Sequence, residues 1–184
     1  HECPVLYDLV KKFVHVVGTG VMKRLILDRG FLDGKAISLC KKQYGIDILI
    51  PIRRNMDLYV DAMALFQESD VHWVECKTSR EEAKESMRLR PKGIAKREKK
   101  RQEKLRQLKQ QQPPPPPEGV LVKKEAAAIG EFRSWSSCTV PLTVVANREH
   151  YADGHQKIWF LIDTKEVQDP SRTQQEYHLR VSTE

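Results

Sequence analysis

Apolar and polar positions recur along the chain with two periods, and the changes from one to the other mark its elements. Between Pro4 and Val17, the residues Val5, Leu6, Leu9, Val10, Phe13 and Val17 return at steps near three and four. Lys11 and Lys12 fall outside that stripe, so the pattern predicts an amphipathic helix. Pro4 suits its first turn, and Gly18 and Gly20 end it. Leu25-Ile26-Leu27 is a short unbroken apolar run that meets Asp28-Arg29-Gly30, the pattern of a buried strand closing on a turn. After Gly34 a second helix is predicted to about Tyr44, with Ile37 and Cys40 inward, Lys35, Lys41 and Lys42 outward, and Gly45 as its stop. Ile46 to Ile52 is again almost wholly apolar and predicts a second strand, with Pro51 placing its end near a sheet edge. Strand, turn, helix and apolar strand in that order make a parallel crossover unit, and the fold class is α/β.

The remaining elements are shorter. Met56 to Gln67 reads as a helix and Val71 to Cys76 as a brief strand. Ala126 to Trp135 is predicted helical at its start. Val140 to Asn147 and Ile158 to Thr164 read as strands around a hairpin signal at Asp153-Gly154. Asp169-Pro170-Ser171 is a turn, with Ser171 or Thr173 placed to cap a last helix. On that helix Tyr177, Arg180 and Glu184 have the spacing Y-x-x-R-x-x-x-E, which sets them on one face.

Charge is distributed unevenly. Residues 80–112 hold 13 Lys and Arg against 5 Glu, a surplus of +8, while the whole chain carries +7. All the net positive charge therefore lies in one segment, read as a solvated helix or a disordered arm, because its large apolar residues are too few for a coiled-coil seam. Pro113 to Pro117 follow as a polyproline spacer. A basic block attracts phosphates by counterion release without reading sequence. Cys3, Cys40, Cys76 and Cys138 are scattered and form no C-x-x-C pair, which argues against a zinc ribbon or a disulfide scaffold and for reduced thiols. His1 and Cys3 lie close together but lack further ligands. There is no run of 18 apolar residues, so no membrane span is expected.

Three clusters can carry chemistry. Asp28 ends a buried strand, the edge at which ligands collect in open α/β sheets; its plain alternative is to cap the next helix. Arg53 and Arg54 leave the second strand at the same edge, either as phosphate ligands or as a soluble turn. Tyr177, Arg180 and Glu184 put a phenol, a phosphate-matching fork and a hard oxygen donor on one helix face, or else a solvated ion pair.

Taken in this order, the Asp28-Arg29 strand end and the Y-x-x-R-x-x-x-E helix resemble the DDE transposases of the IS4-type group. The resemblance covers Val21 to Asn55 and Trp159 to Glu184. It implies a ribonuclease-H-like core, partial here because its first strands lie upstream of His1, so the chain reads as a fragment. Residues 1–68 would hold the first part of that core. Residues 69–156 would be a charged, Pro-rich and β-containing insertion, fitting the 155 residues between Asp28 and Glu184. Residues 157–184 would return to the core with its catalytic helix. The resemblance further implies Asp28 and Glu184 as catalytic acids that ligate two Mg²⁺ or Mn²⁺ ions, with a third acid upstream. Tyr177 and Arg180 would position DNA phosphates, with Arg29, Arg53 and Arg54 contributing. The expected partners are transposon-end and target DNA and, for the intact protein, a second copy in a homodimer. The expected place is the cytoplasm, with the nucleoid. The chain alone would be inactive. Other readings are another ribonuclease-H-like nuclease, a non-catalytic nucleic-acid-binding fragment, or a degenerate remnant.

Overall fold

The computed structural model describes residues 2–77 and 119–181. The basic segment 80–112, the prolines 113–117 and Glu184 lie outside those residues. The described elements run α1 (Glu2–Val17), β1 (Arg24–Ile26), a 3₁₀ turn (Arg29–Phe31), α2 (Gly34–Tyr44), β2 (Asp47–Pro51), α3 (Asp57–Glu68), β3 (Val74–Cys76), β4 (Leu121–Phe132), β5 (Leu142–Tyr151), β6 (Gln156–Asp163) and α4 (Pro170–Val181). One six-stranded mixed sheet, in the order β1-β2-β6-β5-β4-β3, joins all the strands among the described residues. β1 and β2 are parallel and every other pair is antiparallel.

The β1-α2-β2 unit forms as its pattern predicts. Asp33 opens α2 by accepting from the Lys35 and Ala36 amides, and Gly45 closes it at φ 66°, a left-handed position that glycine occupies without cost. Gly34 is pressed against the 137–138 backbone: a Cβ there would stand 2.8 Å from the Ser137 carbonyl carbon and 3.0 Å from the Cys138 nitrogen.

Helices cover both faces of the sheet. The larger apolar cluster lies under α1, α2 and α3, with Val10, Ile37, Cys40, Ile48, Ile50, Leu58, Val144, Phe160 and Ile162 at its centre. The smaller one, Leu49, Cys76, Ala126, Val145 and Leu161, lies on the opposite face with Tyr177 of α4 packed against it. Alternation along each strand assigns these residues: Leu49 and Leu161 face α4, while their neighbours face the other layer.

Two local expectations are corrected. Ala126 to Trp135 does not start as a helix; it lies in or just beyond the long strand β4, and Ala126 and Ala127 are fully buried there. Alanine favours helices, but here small side chains let α4 approach, and β4 fills its ladder from β3 on one side and β5 on the other. The cap of α4 is Asp169 rather than Ser171 or Thr173. Its Oδ1 accepts from the amides of Ser171 and Arg172 at 3.0 and 3.1 Å. Thr173 instead bonds the Asp169 carbonyl.

Candidate active site

The rungs between β1 and β2 include Asp47 N–H to the Lys23 carbonyl and Leu27 N–H to the Leu49 carbonyl. The next rung in that register would need an N–H on residue 51, which is Pro51. The parallel ladder therefore stops beside Leu27, and the chain leaves the sheet at Asp28. β2 itself is an interior strand, so Pro51 marks the end of this ladder rather than an edge strand.

Asp28 has an extended backbone and is exposed. Leu25 and Leu27 belong with the larger cluster and Ile26 with the smaller one, so alternation sets Asp28 on the α4 side of the sheet. Its Oδ1 accepts from the Arg29 amide at 2.7 Å, capping the 3₁₀ turn. Arg53 comes from the end of β2 and donates from Nε to the Arg29 carbonyl at 2.9 Å and from Nη2 to the Gly30 carbonyl at 3.2 Å. Arg29, Arg53 and Arg54 are all exposed at this edge. The structure thus brings Asp28, Arg29 and Arg53 together, with the Arg53 fork engaged on backbone.

α4 begins beside the end of β6 and runs back over the sheet. Tyr177 packs against Trp159 with ring centroids 5.8 Å apart, and His178 meets the same indole edge-on at 5.9 Å. α4 packs mainly over β3, β4 and β5, and since Tyr177 meets Trp159 on β6, antiparallel to β2, its carboxyl end points toward the end of the strands from which Asp28 leaves β1. Tyr177 is half-buried in the smaller cluster, so its ring is a packing group as well as a phenol. Arg180 is the penultimate residue of α4. Its relation to Asp28, and that of Glu184, involves residues or side chains outside the described ones.

An ion triad fixes α4 to the parallel strands. Arg24 at the start of β1 donates to Asp163 at 3.1 and 2.7 Å and to Glu176 at 2.8 Å. Asp163 is almost wholly buried; burial pushes its pKa up, and the guanidinium pulls the other way. Beneath α4 lies a polar layer of Lys124, Asn147, Glu149 and His178. Trp159 Nε1 donates to Glu149 at 3.1 Å, and burial beside Lys124 pulls His178 below its ordinary pKa. Sequence reasoning missed both groups, because the triad's partners lie 139 and 152 positions from Arg24 and leave no local signal.

Among the described residues, no three His, Cys, Asp or Glu side chains group as a metal site. The described donors at this edge reduce to one candidate carboxylate, Asp28, which alone does not make a two-ion site. Among the described residues no helix is long and apolar enough to cross a membrane. No family model, curated protein or solved structure matches the chain.

Proposed function

We propose that this chain carries part of a transposase-type site for cutting and joining DNA, within a ribonuclease-H-like core. The observation behind this reading is that Asp28 leaves β1 on the face of the sheet that α4 occupies, at the end of the strands toward which α4 runs. Asp28 ends a parallel crossover unit, and α4, packed over β3, β4 and β5 on the same face, runs toward the same end of the strands. In this reading Asp28 and Glu184 are the acids of the site, and the third acid that the resemblance implies comes from a strand outside these residues. Clustered carboxylates hold divalent ions, which supply an activated water and stabilise the leaving oxygen. Arg29, Arg54 and Arg180 bind phosphate oxygens along the DNA, and Tyr177 steadies the helix that carries Arg180. Arg53 shapes the turn below Asp28. Residues 80–112 add sequence-indifferent attraction to the backbone.

The test is Mn²⁺ titration of the purified chain, of Asp28→Asn and of Glu184→Gln, with unrelated surface acids as controls. The reading expects binding that each of the two substitutions weakens, together with no DNA hydrolysis by the chain alone. Equal binding in both variants removes the nuclease reading and leaves a basic nucleic-acid-binding chain. Robust hydrolysis means that the acids are misplaced.

A further inference from the structure

α1 is apolar on more of its surface than the fold uses. Leu6, Tyr7, Val10 and Val14 turn inward to the larger cluster. Val5, Leu9, Phe13, Val16 and Val17 form a second stripe that remains exposed, with Leu9 at 57% and Val16 at 82%. Val21, in the connection to β1, extends it. A helix on a protein surface normally presents polar side chains there, and a contiguous apolar stripe marks a contact. α1 packs against the turn that follows β1. The Tyr7 hydroxyl donates to the Phe31 carbonyl, just beyond β1, and Asp8, Lys11, Lys12, Val14, His15 and Val16 line a cavity of about 650 Å³ with Tyr44 at the end of α2. β1 is an edge strand of the sheet.

We infer that this stripe docks on the same stripe of a second copy, α1 against α1, antiparallel about a two-fold axis. The charges beside the stripe select that occupant. At 100° per residue, Asp8 and Lys12 fall on one flank of it. In an antiparallel two-fold pair each flank meets its own copy, so this flank faces itself. With the axis at Val10, Asp8 stands level with Lys12 of the second copy, and Lys12 with its Asp8. The same axis interleaves Val5, Leu9, Phe13 and Val16 with their copies, knob between knobs. One symmetry operation thus covers the apolar stripe and pairs both charges. A contact of one helix pair is at the small end of specific interfaces, so the dimer is expected in the micromolar range, about 1–100 µM. The inference stands apart from the DNA reading, because its test needs neither metal nor DNA, although α1 is tied to the turn after Asp28 through Tyr7 and Phe31.

Sedimentation equilibrium of the full chain, without DNA, tests it across the micromolar range. The expected result is a monomer–dimer equilibrium. Leu9→Asp is expected to weaken it about tenfold or more with helix content unchanged, since Leu9 is exposed in the monomer. Asp8→Lys sets like charges face to face and weakens the dimer; Asp8→Lys combined with Lys12→Asp restores it. A chain that stays monomeric throughout overturns the inference. So does a dimer indifferent to Leu9→Asp, or a double variant no tighter than Asp8→Lys alone.

Discussion

Arg24 and Asp163 meet across β2, the strand between their own, with the guanidinium donating to both carboxylate oxygens at 3.1 and 2.7 Å. Glu176 of α4 takes a further bond from the same guanidinium. One side chain therefore ties the first strand, the last strand and the last helix. Removing it leaves Asp163 buried without its cation. Arg24→Met is expected to cost about 3 kcal/mol, since a buried acid left alone outweighs the lost attraction. Burial raises the Asp163 pKa and Arg24 restrains that rise, so the variant's Asp163 titrates higher still. A carboxyl whose folded pKa is raised gains stability as pH falls through that value toward its unfolded one. The deficit of Arg24→Met is therefore largest at neutral pH and shrinks on acidification. Urea unfolding of both proteins from pH 7 to pH 4 measures this; a constant deficit would contradict it.

Glu125 has the opposite sign. Burial alone would raise its pKa, but hydrogen bonds from Lys123, His150 and Arg148 outweigh that and hold it at about 2. Arg148 is itself stacked on Trp73, with its guanidinium carbon 3.9 Å from the ring centroid. The carboxylate is nearly covered, while its cations remain partly exposed and screened, so the cluster contributes about 1–2 kcal/mol rather than the full shift. That contribution is present above the unfolded pKa near 4.5 and is lost as pH falls from there toward 2. Glu125→Gln should therefore be less stable than the parent at pH 7 and converge with it in acid. Thermal melts across that window check the convergence.

Gly34 tests packing where no charge is involved. A Cβ at this position meets backbone atoms of Ser137 and Cys138, which cannot swing aside as a long side chain would. Gly34→Ala is expected to cost about 1–3 kcal/mol despite alanine's better helix propensity. The same substitution at Gly30, where nothing lies within 4 Å, is the control and should change stability by less than about 0.5 kcal/mol.

The parts of this molecule that are legible in the sequence are the local ones. Gly45 as a helix stop, the Asp153-Gly154 turn and the apolar runs of β1 and β2 each carry their cause within a few residues. Gly154 takes φ 83° between β5 and β6. Ala126 and Ala127 misled because their propensity speaks for helix, while their place between β3 and β5 is decided by partners distant in sequence. Of the candidate site, Asp28 at a strand end and the arginines leaving β2 were readable from the order of elements. That Arg53 would spend its fork on the carbonyls of Arg29 and Gly30 was not, because the contact depends on where Pro51 ends the ladder. The half-burial of Tyr177 against Trp159 was equally hidden, since helical spacing gives a face but not what covers it.

Arg53 separates bracing from binding. Its Nε and Nη2 hold two consecutive carbonyls of the turn below Asp28, a two-pronged contact that a lysine ammonium cannot reproduce with the same geometry. Arg53→Lys keeps the positive charge and removes the brace. If the side chain's main work is to hold the turn, local opening becomes easier by about 1 kcal/mol, the net worth of such a hydrogen-bonded contact. The Phe31 amide, which bonds the Asp28 carbonyl at 3.0 Å, is the reporter, and its hydrogen exchange should quicken about fivefold to tenfold. Under the proposed function, DNA binding responds to charge and should keep its salt slope in this variant. Deleting residues 80–112, with their surplus of +8, should flatten that slope sharply. Unchanged Phe31 exchange in Arg53→Lys together with a flattened salt slope in Arg53→Gln, which removes the charge, would reverse the assignment and make Arg53 a phosphate ligand first.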